Sequence, residues 1–197
     1  RYLTFMIHTR KIYDDLSRKG MNFELSKDFY KYLIKKCHQS RKKVGLSVCD
    51  IKTFKTFSEL NFDFYKLMSL GINDYDLIKE LRKKNKPIYI STGFKTKVSD
   101  IKKCLKIFKN KKKITLLHTP MTYNVSELNF PNISYLRKKF KFNVGYSNHN
   151  DDISTLNILS AYNPKVIFIY CKPQRIKKRV YPDDQHAFYL DELEKIK

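Results

Sequence analysis

Short apolar runs alternate with amphipathic stretches along this chain, and that alternation limits the folds that it can adopt. The runs predicted as strands are residues 44–49, 62–69, 87–91, 114–118, 142–146 and 165–171. Most are followed by a segment whose apolar residues have helical spacing, and Ser26 and either Asn73 or Asp74 are predicted to cap two of the helices. Strands that alternate with helices in this way predict an α/β protein with a parallel sheet covered by helices.

Two architectures satisfy this order of elements, a doubly wound sheet and part of a (β/α)8 TIM barrel. No glycine-rich dinucleotide turn follows a predicted strand, and Ser91-Thr92-Gly93 is too short a signal for a phosphate loop. The pattern therefore favours the TIM-barrel type, with about six of the eight strand–helix units in this chain. No internal repeat or low-complexity linker divides residues 1–197, which we interpret as a single, partial barrel domain.

The strongly basic composition raises the question of a nucleic-acid partner. The 197 residues contain 41 Lys and Arg against 19 Asp and Glu, a formal net charge of +22. Most basic clusters fall where helices end and loops begin, and no zinc finger, KH loop or aromatic RNA-reading motif accompanies them. Nucleic-acid binding is thus the least favoured function, whereas a preference for anionic ligands follows from the charge.

Cysteine usage and hydropathy favour a cytoplasmic protein. The cysteines are widely scattered without metal-ligand spacing, so reduced thiols are expected at Cys37, Cys49, Cys104 and Cys171. No apolar run is long enough to cross a bilayer, and no signal peptide is visible. Because the first residue is Arg1, the sequence is interpreted as an excerpt of a longer chain.

Polar side chains follow the predicted strands at their carboxyl ends, the edge at which barrel enzymes carry their active sites. They are Ser47, Asp50, Lys66, Ser69, Ser91, Thr92, His118, Thr119, Tyr123, Ser147, Asn148 and His149. Lys66 is the least expected, because it lies within an apolar run where a charge needs an anion or a carboxylate partner. Lysine with several hydroxyls suits a phosphate or a carboxylate; the alternative is an edge lysine whose ammonium reaches solvent.

Residues 145–149 (GYSNH) bring a hydroxyl and an imidazole to one strand end. His149 is a candidate metal ligand or general base. The alternatives are a hydrogen-bonded structural histidine and a plain polar turn before the next helix. His118, near the buried end of its strand, is interpreted as structural.

Five segments, in order, resemble the sialic acid synthase family, the phosphoenolpyruvate-dependent synthases of nonulosonic acids such as N-acetylneuraminate. They are residues 64–69 (FYKLMS), 86–93 (KPIYISTG), 116–119 (LLHT) with Tyr123, 144–149 (VGYSNH) and 184–193 (DQHAFYLDEL). The resemblance implies a TIM barrel followed by a small antifreeze-like domain, in a homodimer. The antifreeze-like domain and the two leading barrel strands have no recognisable counterpart in this chain.

The resemblance also implies a transferase reaction of carbohydrate biosynthesis. Phosphoenolpyruvate would be condensed with an N-acetylated aldose such as N-acetylmannosamine, with release of phosphate. A divalent cation, Mn²⁺ or Mg²⁺, would polarise the sugar aldehyde as a Lewis acid. The expected partners are therefore these small molecules, with no membrane and with nucleic acid as the least favoured partner.

Residue by residue, the resemblance assigns roles to seven positions. The residues that would hold the phosphoenolpyruvate anion are Lys66, Ser47, Ser69 and Ser147. Tyr123 and Asp184 would lie at the sugar, although the spacing around Asp184 is off by one residue. His149 would be a metal ligand, and His149 and Lys66 are the expected catalytic residues.

Several positions depart from the family pattern and leave the activity open. The substituted positions, with the family residue in parentheses, are Gly71 (glutamate), Met121 (Ser or Asn), Asn148 (aspartate), Phe168 (glutamate) and Tyr170 (the second metal histidine). Tyrosine is a poor ligand at neutral pH, which weakens the metal expectation. A working synthase needs replacements, and the candidates are His118, Asp183, Asp184 and His186. The alternative is a catalytically impaired relative that keeps an anion-binding pocket.

Overall fold

The computed structural model describes residues 2–6, 25–93, 95–108, 110–173 and 183–195. The chain divides into two compact units. Unit 1 comprises Arg1–Ile90 and Lys97–Lys113, and unit 2 comprises Ser91–Thr96 and Ile114–Lys197. Within the described ranges, no helix combines the length and the apolar character needed to cross a membrane.

Unit 1 is built from parallel strands and the helices that follow them. Its strands are β1 (Tyr2–Met6), β2 (Lys43–Val48), β3 (Phe64–Leu67) and β4 (Ile88–Ser91), whose last residue belongs to unit 2. Its helices are α1 (Lys27–Gln39), α2 (Ile51–Phe57), α3 (Tyr75–Lys83) and α4 (Val98–Ile107), with 3₁₀ turns at Ser69–Gly71 and Lys111–Lys113. The four strands are neighbours in sequence order and pair in parallel.

Side-chain caps fix where three of these helices begin. Ser26 accepts a hydrogen bond from the Phe29 amide at 3.2 Å, as predicted for α1. Asp74, rather than Asn73, caps α3 through the Leu77 amide at 2.9 Å. Asp50 caps α2 and follows β2 closely, so the chain turns from strand to helix within two residues.

The two faces of the unit 1 strands differ in chemistry. Tyr65 of β3 packs edge-on against Phe54 of α2, with 5.5 Å between ring centroids, so Tyr65 and Leu67 face the helices. Lys66 therefore points to the opposite face. Ser47 of β2 lies on that same face, because the strand register pairs it with Lys66. The helix-covered face supplies the core, and the other face carries the polar groups.

Unit 2 contains three parallel strands and a separate two-stranded sheet. Its strands are β5 (Ile114–His118), β6 (Asn143–Ser147), β7 (Ile167–Phe168), β8 (Tyr170–Lys172) and β9 (Ala187–Tyr189). Strands β5, β6 and β7 pair in parallel in that order, and β8 pairs in parallel with β9. Its helices are α5 (Pro131–Phe140) and α6 (Ser154–Ile158), with 3₁₀ turns at Val125–Glu127, Leu159–Tyr162, Asp184–His186 and Glu192–Lys195.

Three parts of the secondary structure differ from the sequence prediction. Strand β1 was not predicted, although it pairs with β2 along its full length. The single strand predicted over 165–171 is two short strands, because the chain leaves β6 after Phe168 and pairs with β9 from Tyr170 onward. Strand β9 was likewise not predicted, and a short 3₁₀ turn, Glu192–Lys195, follows it.

Candidate functional site

The predicted site residues divide between the two units. Unit 1 contains Ser47, Lys66 and Ser69. Unit 2 contains the remaining four, which are Tyr123, Ser147, His149 and Asp184.

In unit 1, Ser47 and Lys66 lie side by side on neighbouring strands. They are register partners on β2 and β3, and their exposed fractions are only 6% and 7%. Thr4 of β1 joins them, because its hydroxyl lies 3.1 Å from the Ser47 hydroxyl. A buried lysine whose strand neighbour carries a hydroxyl is an arrangement that suits phosphate or carboxylate. Thr4 was not singled out from the sequence, because the five residues of β1 carry too little periodic signal to predict a strand there.

Ser69 begins the 3₁₀ turn that follows β3, and Gly71 ends it. A Cβ atom added at Gly71 would lie 2.7 Å from the Cys49 carbonyl oxygen and 3.0 Å from the Leu67 Cδ1 atom. The closest obstacle is backbone, which cannot rotate away as a flexible side chain does. The position at which the family resemblance places a glutamate therefore has no room for any side chain.

In unit 2, Ser147 is fully buried at the end of β6 and is the register partner of Phe168 on β7. Phe168 stands where the resemblance places a glutamate, so the neighbour of Ser147 on that face is an aromatic ring. The Asn148 amide donates to the Phe168 carbonyl at 2.9 Å, and its side-chain amide donates to the Asn150 carbonyl at 2.7 Å. Asn148 thus shapes the turn after β6.

Asn150 was not singled out from the sequence, yet it is fully buried and fixes a neighbouring loop. Its side-chain amide donates to the Tyr123 carbonyl at 2.9 Å, and its side-chain oxygen accepts from the Asp152 amide at 2.9 Å. The Tyr123 ring itself is half-exposed. Asn150 therefore positions the backbone of a residue that the resemblance places at the sugar.

His149 lies in a cluster of three rings. The ring centroids of His149 and Tyr170 are 5.3 Å apart, those of His149 and His186 are 5.1 Å apart, and those of Tyr170 and His186 are 4.5 Å apart. The Tyr170 hydroxyl is 3.4 Å from His149 Nε2, and His149 Nδ1 is 3.3 Å from the Ser147 carbonyl oxygen. We call His149, Tyr170 and His186 the ring cluster. Tyr123 contacts it, with its hydroxyl 3.4 Å from His186 Nδ1.

The side chains of Asp184 and His118 are each bound by neighbouring groups. The Asp184 carboxylate forms an ion pair with the Lys172 ammonium at 2.7 Å, and the same ammonium donates to the Asp184 carbonyl at 3.0 Å. His118 Nε2 bonds the Leu128 carbonyl at 2.8 Å, and the Asn132 side-chain amide bonds His118 Nδ1 at 3.1 Å. Burial lowers the pKa of His118, so it is a neutral, hydrogen-bonded core residue, as predicted from the sequence.

The side chains that could hold a divalent cation are few. The described residues contain no group of three or more His, Cys, Asp or Glu side chains arranged to hold one. The donors that do meet are the imidazoles of His149 and His186 and the phenol of Tyr170. Imidazoles suit transition metals such as Zn²⁺, Fe²⁺ or Ni²⁺, whereas Mg²⁺ and Mn²⁺ more often take oxygen ligands. The two imidazoles could therefore hold a transition metal whose other coordination positions are open to oxygen ligands.

All four cysteines are free thiols, as expected. Cys37 and Cys104 are buried, Cys49 is partly exposed and Cys171 is exposed. Burial raises the pKa of Cys104 to about 12. This thiol is therefore held in its uncharged form in the core.

Comparison with known sequences identifies relatives of this chain. A profile of the NeuB family matches residues 4–167. The N,N'-diacetyllegionaminic acid synthase of Campylobacter jejuni is 32% identical over 110 residues, which cover 53% of this chain and 33% of that protein. The N-acetylneuraminate-9-phosphate synthase of Drosophila melanogaster is 29% identical over 131 residues, covering 64% of this chain and 35% of that protein. The chain thus aligns with about a third of the length of each of these relatives.

Comparison with solved structures identifies the fold of this chain. The N-acetylneuraminic acid synthetase of Leptospira borgpetersenii, determined in complex with citrate, superimposes with a TM-score of 0.82 at 21% sequence identity. The match covers 99% of this chain and 70% of that chain. It confirms the predicted fold class, a (β/α)8 type of which this chain holds a part.

Proposed function

The chain belongs to the NeuB family, and we propose that it is a synthase of nonulosonic acid biosynthesis that condenses phosphoenolpyruvate with an N-acetylated aldose. The single observation that supports this most strongly is the burial of Lys66 beside Ser47, its register partner on β2, whose hydroxyl lies 3.1 Å from that of Thr4 in unit 1. A lysine and two hydroxyl residues on one strand face are suited to an anionic substrate. The relatives are named as synthases of nonulosonic acids, which supports that class of product for this chain.

The chemistry assigned to unit 1 is anion binding. The Lys66 ammonium neutralises charge on the phosphate or carboxylate of phosphoenolpyruvate, and Ser47 donates a hydrogen bond to it. Ser69, at the start of the 3₁₀ turn after β3, is proposed as a further donor. These side chains are held by strands, so they are ordered before the substrate arrives, and less entropy is lost on binding.

The chemistry assigned to unit 2 concerns the aldose. The two imidazoles of the ring cluster would hold the cation, which when bound supplies Lewis-acid polarisation of the sugar aldehyde. Tyr123 and Asp184 are proposed to contact the sugar, and Ser147 to contact phosphoenolpyruvate. Because Asp184 is paired with Lys172, its carboxylate is held in one orientation. A homodimer and a cytoplasmic location are further parts of this proposal, supported by the family resemblance.

A second candidate function is favoured by the structure around Gly71. The family glutamate has no room there, and Phe168 replaces a second carboxylate next to Ser147. Loss of both acids while Lys66 and its hydroxyl neighbours remain is the pattern of a protein that binds the anion without turning it over. This candidate is a regulatory or scavenging binder of phosphoenolpyruvate or a similar anion.

Two measurements on the same protein separate these candidates. Binding of phosphoenolpyruvate is measured by calorimetry, and phosphate release is measured with phosphoenolpyruvate, N-acetylmannosamine and Mn²⁺. Lys66→Ala should abolish both signals, whereas Lys103→Ala, which removes an exposed lysine of α4, should change neither. Phosphate release that depends on Lys66 supports the synthase. Binding without release supports the anion binder, and absence of binding contradicts both.

Nucleic-acid binding is the least favoured of the functions that the sequence predicts. It rests on the net charge of +22 alone. Binding of a random oligonucleotide should, if it occurs at all, fall steeply with added salt, because it would depend on phosphate contacts. Tight binding at physiological salt would revive this alternative.

A further inference from the structure

Two imidazoles of unit 2 meet although 37 positions separate them in sequence (149 to 186). His149 follows β6, and His186 ends the 3₁₀ turn Asp184–His186 that leads into β9. Their ring centroids are 5.1 Å apart, a separation at which both rings can reach one cation. His186 is 9% exposed, so its position is fixed by packing.

The hydrogen bond at His149 Nδ1 determines which nitrogen can bind a cation. The Ser147 carbonyl oxygen, 3.3 Å away, can only accept, so Nδ1 carries the proton and donates it. In the neutral imidazole the lone pair then resides on Nε2. An imidazole that donates one N–H to a backbone carbonyl while presenting its other nitrogen is the arrangement of metal-binding histidines.

The same reasoning applies to His186 through Tyr123. The Tyr123 hydroxyl donates its single proton to the Gln185 side-chain oxygen at 3.0 Å. The bond of 3.4 Å between that hydroxyl and His186 Nδ1 therefore has the imidazole as donor. The neutral His186 ring then has its lone pair on Nε2, as His149 does.

We propose that His149 and His186 form a two-imidazole site for a divalent transition metal such as Mn²⁺, Co²⁺ or Zn²⁺, with the two Nε2 atoms as ligands. The family resemblance places a second metal-binding histidine at the position of Tyr170. In this chain His186 would take over the role of that histidine. Two nitrogen donors leave several coordination positions to water or substrate oxygens. The site itself does not depend on the proposed synthase activity; only the reaction that it would serve does.

Two of the other candidate replacements, His118 and Asp184, are engaged by other groups. Both ring nitrogens of His118 are engaged, one by the Leu128 carbonyl and one by the Asn132 side chain. The Asp184 carboxylate is paired with the Lys172 ammonium. Of the four candidates from the sequence, only His186 has an observed ring contact with His149.

Tyr170 competes with the cation in this geometry. Its hydroxyl, 3.4 Å from His149 Nε2, can donate to the lone pair that a metal would use. Removing that hydroxyl in Tyr170→Phe should therefore tighten binding, and the ring would still pack against both imidazoles.

The test is a titration with Co²⁺ alone, without substrates, read by visible absorption and calorimetry. Wild-type protein should bind one Co²⁺ per chain. His149→Ala and His186→Ala should each weaken binding by about 10–100-fold or more, since even loss of an outer partner of a metal ligand has an effect of that size. His38→Ala, which removes a histidine of unit 1, should bind as wild type does.

Further variants guard against misfolding and adventitious binding. Restoring an imidazole in Tyr170→His, combined with His186→Ala, should recover binding if that protein is folded. In the proton NMR spectrum of wild type, added Mn²⁺ should broaden the signals of His149 and His186 and spare those of His38. The proposal is overturned if wild type binds no Co²⁺, or if His186→Ala binds it as tightly as wild type. Binding of phosphoenolpyruvate through Lys66, measured without metal, tests the proposed function separately.

Discussion

The Cys49 carbonyl oxygen lies 2.7 Å from the point at which a Cβ atom of residue 71 would stand. The turn after β3 is thus closed against the end of β2 by direct backbone approach. The substitution of the family glutamate by Gly71 is therefore accompanied by a backbone that leaves no space for the lost side chain. Restoring the acid means moving one of the two segments.

This closeness predicts that Gly71→Ala and Gly71→Glu destabilise the protein by similar amounts. The first added carbon already clashes, so we expect a loss of about 1–3 kcal/mol in the free energy of unfolding for both, typical of overpacking. Urea denaturation measures it. Leu70→Ala, at the exposed neighbouring position, should cost less. A stable Gly71→Glu variant with increased phosphate release would show that the turn opens readily.

A substitution at Lys66 can distinguish a role in stability from a role in binding phosphoenolpyruvate. Lys66→Met keeps most of the aliphatic length of the side chain and removes a charge at a position that is 7% exposed. Methionine retains the apolar contacts of the buried stem, whereas binding of a phosphate or carboxylate needs the ammonium group. We therefore expect a smaller loss in the free energy of unfolding than for Lys66→Ala, together with loss of phosphoenolpyruvate binding. A destabilised variant that still binds the anion would assign Lys66 a structural role.

The strand–helix order was predictable because each element has its own periodicity, and the caps at Ser26 and Asp74 follow from local chemistry. Strand β1 was missed because five residues carry little periodic signal by themselves. The break after Phe168 was missed because the apolar run continues through it, while the pairing partner changes from β6 to β9.

The candidate site was predictable where its residues give a local signal in the sequence, and not where they meet only through the fold. Lys66 stands out as a charge within an apolar run and His149 as an imidazole just after one, and both are local signals. The contact between His149 and His186 is not local, since it depends on the path of the chain between β6 and β9. Likewise, the sequence shows that residue 71 is glycine, but only the backbone shows that the space is closed.

The buried His118 predicts a loss of stability in mild acid. Burial lowers its pKa below the ordinary value of 6.5, so below that pH the unfolded chain binds a proton that the folded chain resists. The contribution is fully present above pH 6.5 and falls as the pH decreases toward the folded-state pKa. Thermal unfolding between pH 7.5 and pH 5.5 measures this loss.

His118→Gln isolates that contribution. Glutamine can still donate to the Leu128 carbonyl but does not titrate, so the variant should lose less stability than wild type between these two pH values. An unchanged pH dependence in His118→Gln would mean that another group accounts for the acid sensitivity.

Asn150 predicts how firmly the Tyr123 loop is held. In Asn150→Ala the Tyr123 carbonyl and the Asp152 amide both lose their partner, at a cost of about 1–3 kcal/mol for each buried group left unsatisfied. Amide hydrogen exchange should accelerate at residues 122–124. Asn157→Ala, an exposed position in α6, should change neither the stability nor the exchange. If exchange at residues 122–124 stays as slow as in wild type, the loop is held by other contacts, and Asn150 does not position Tyr123.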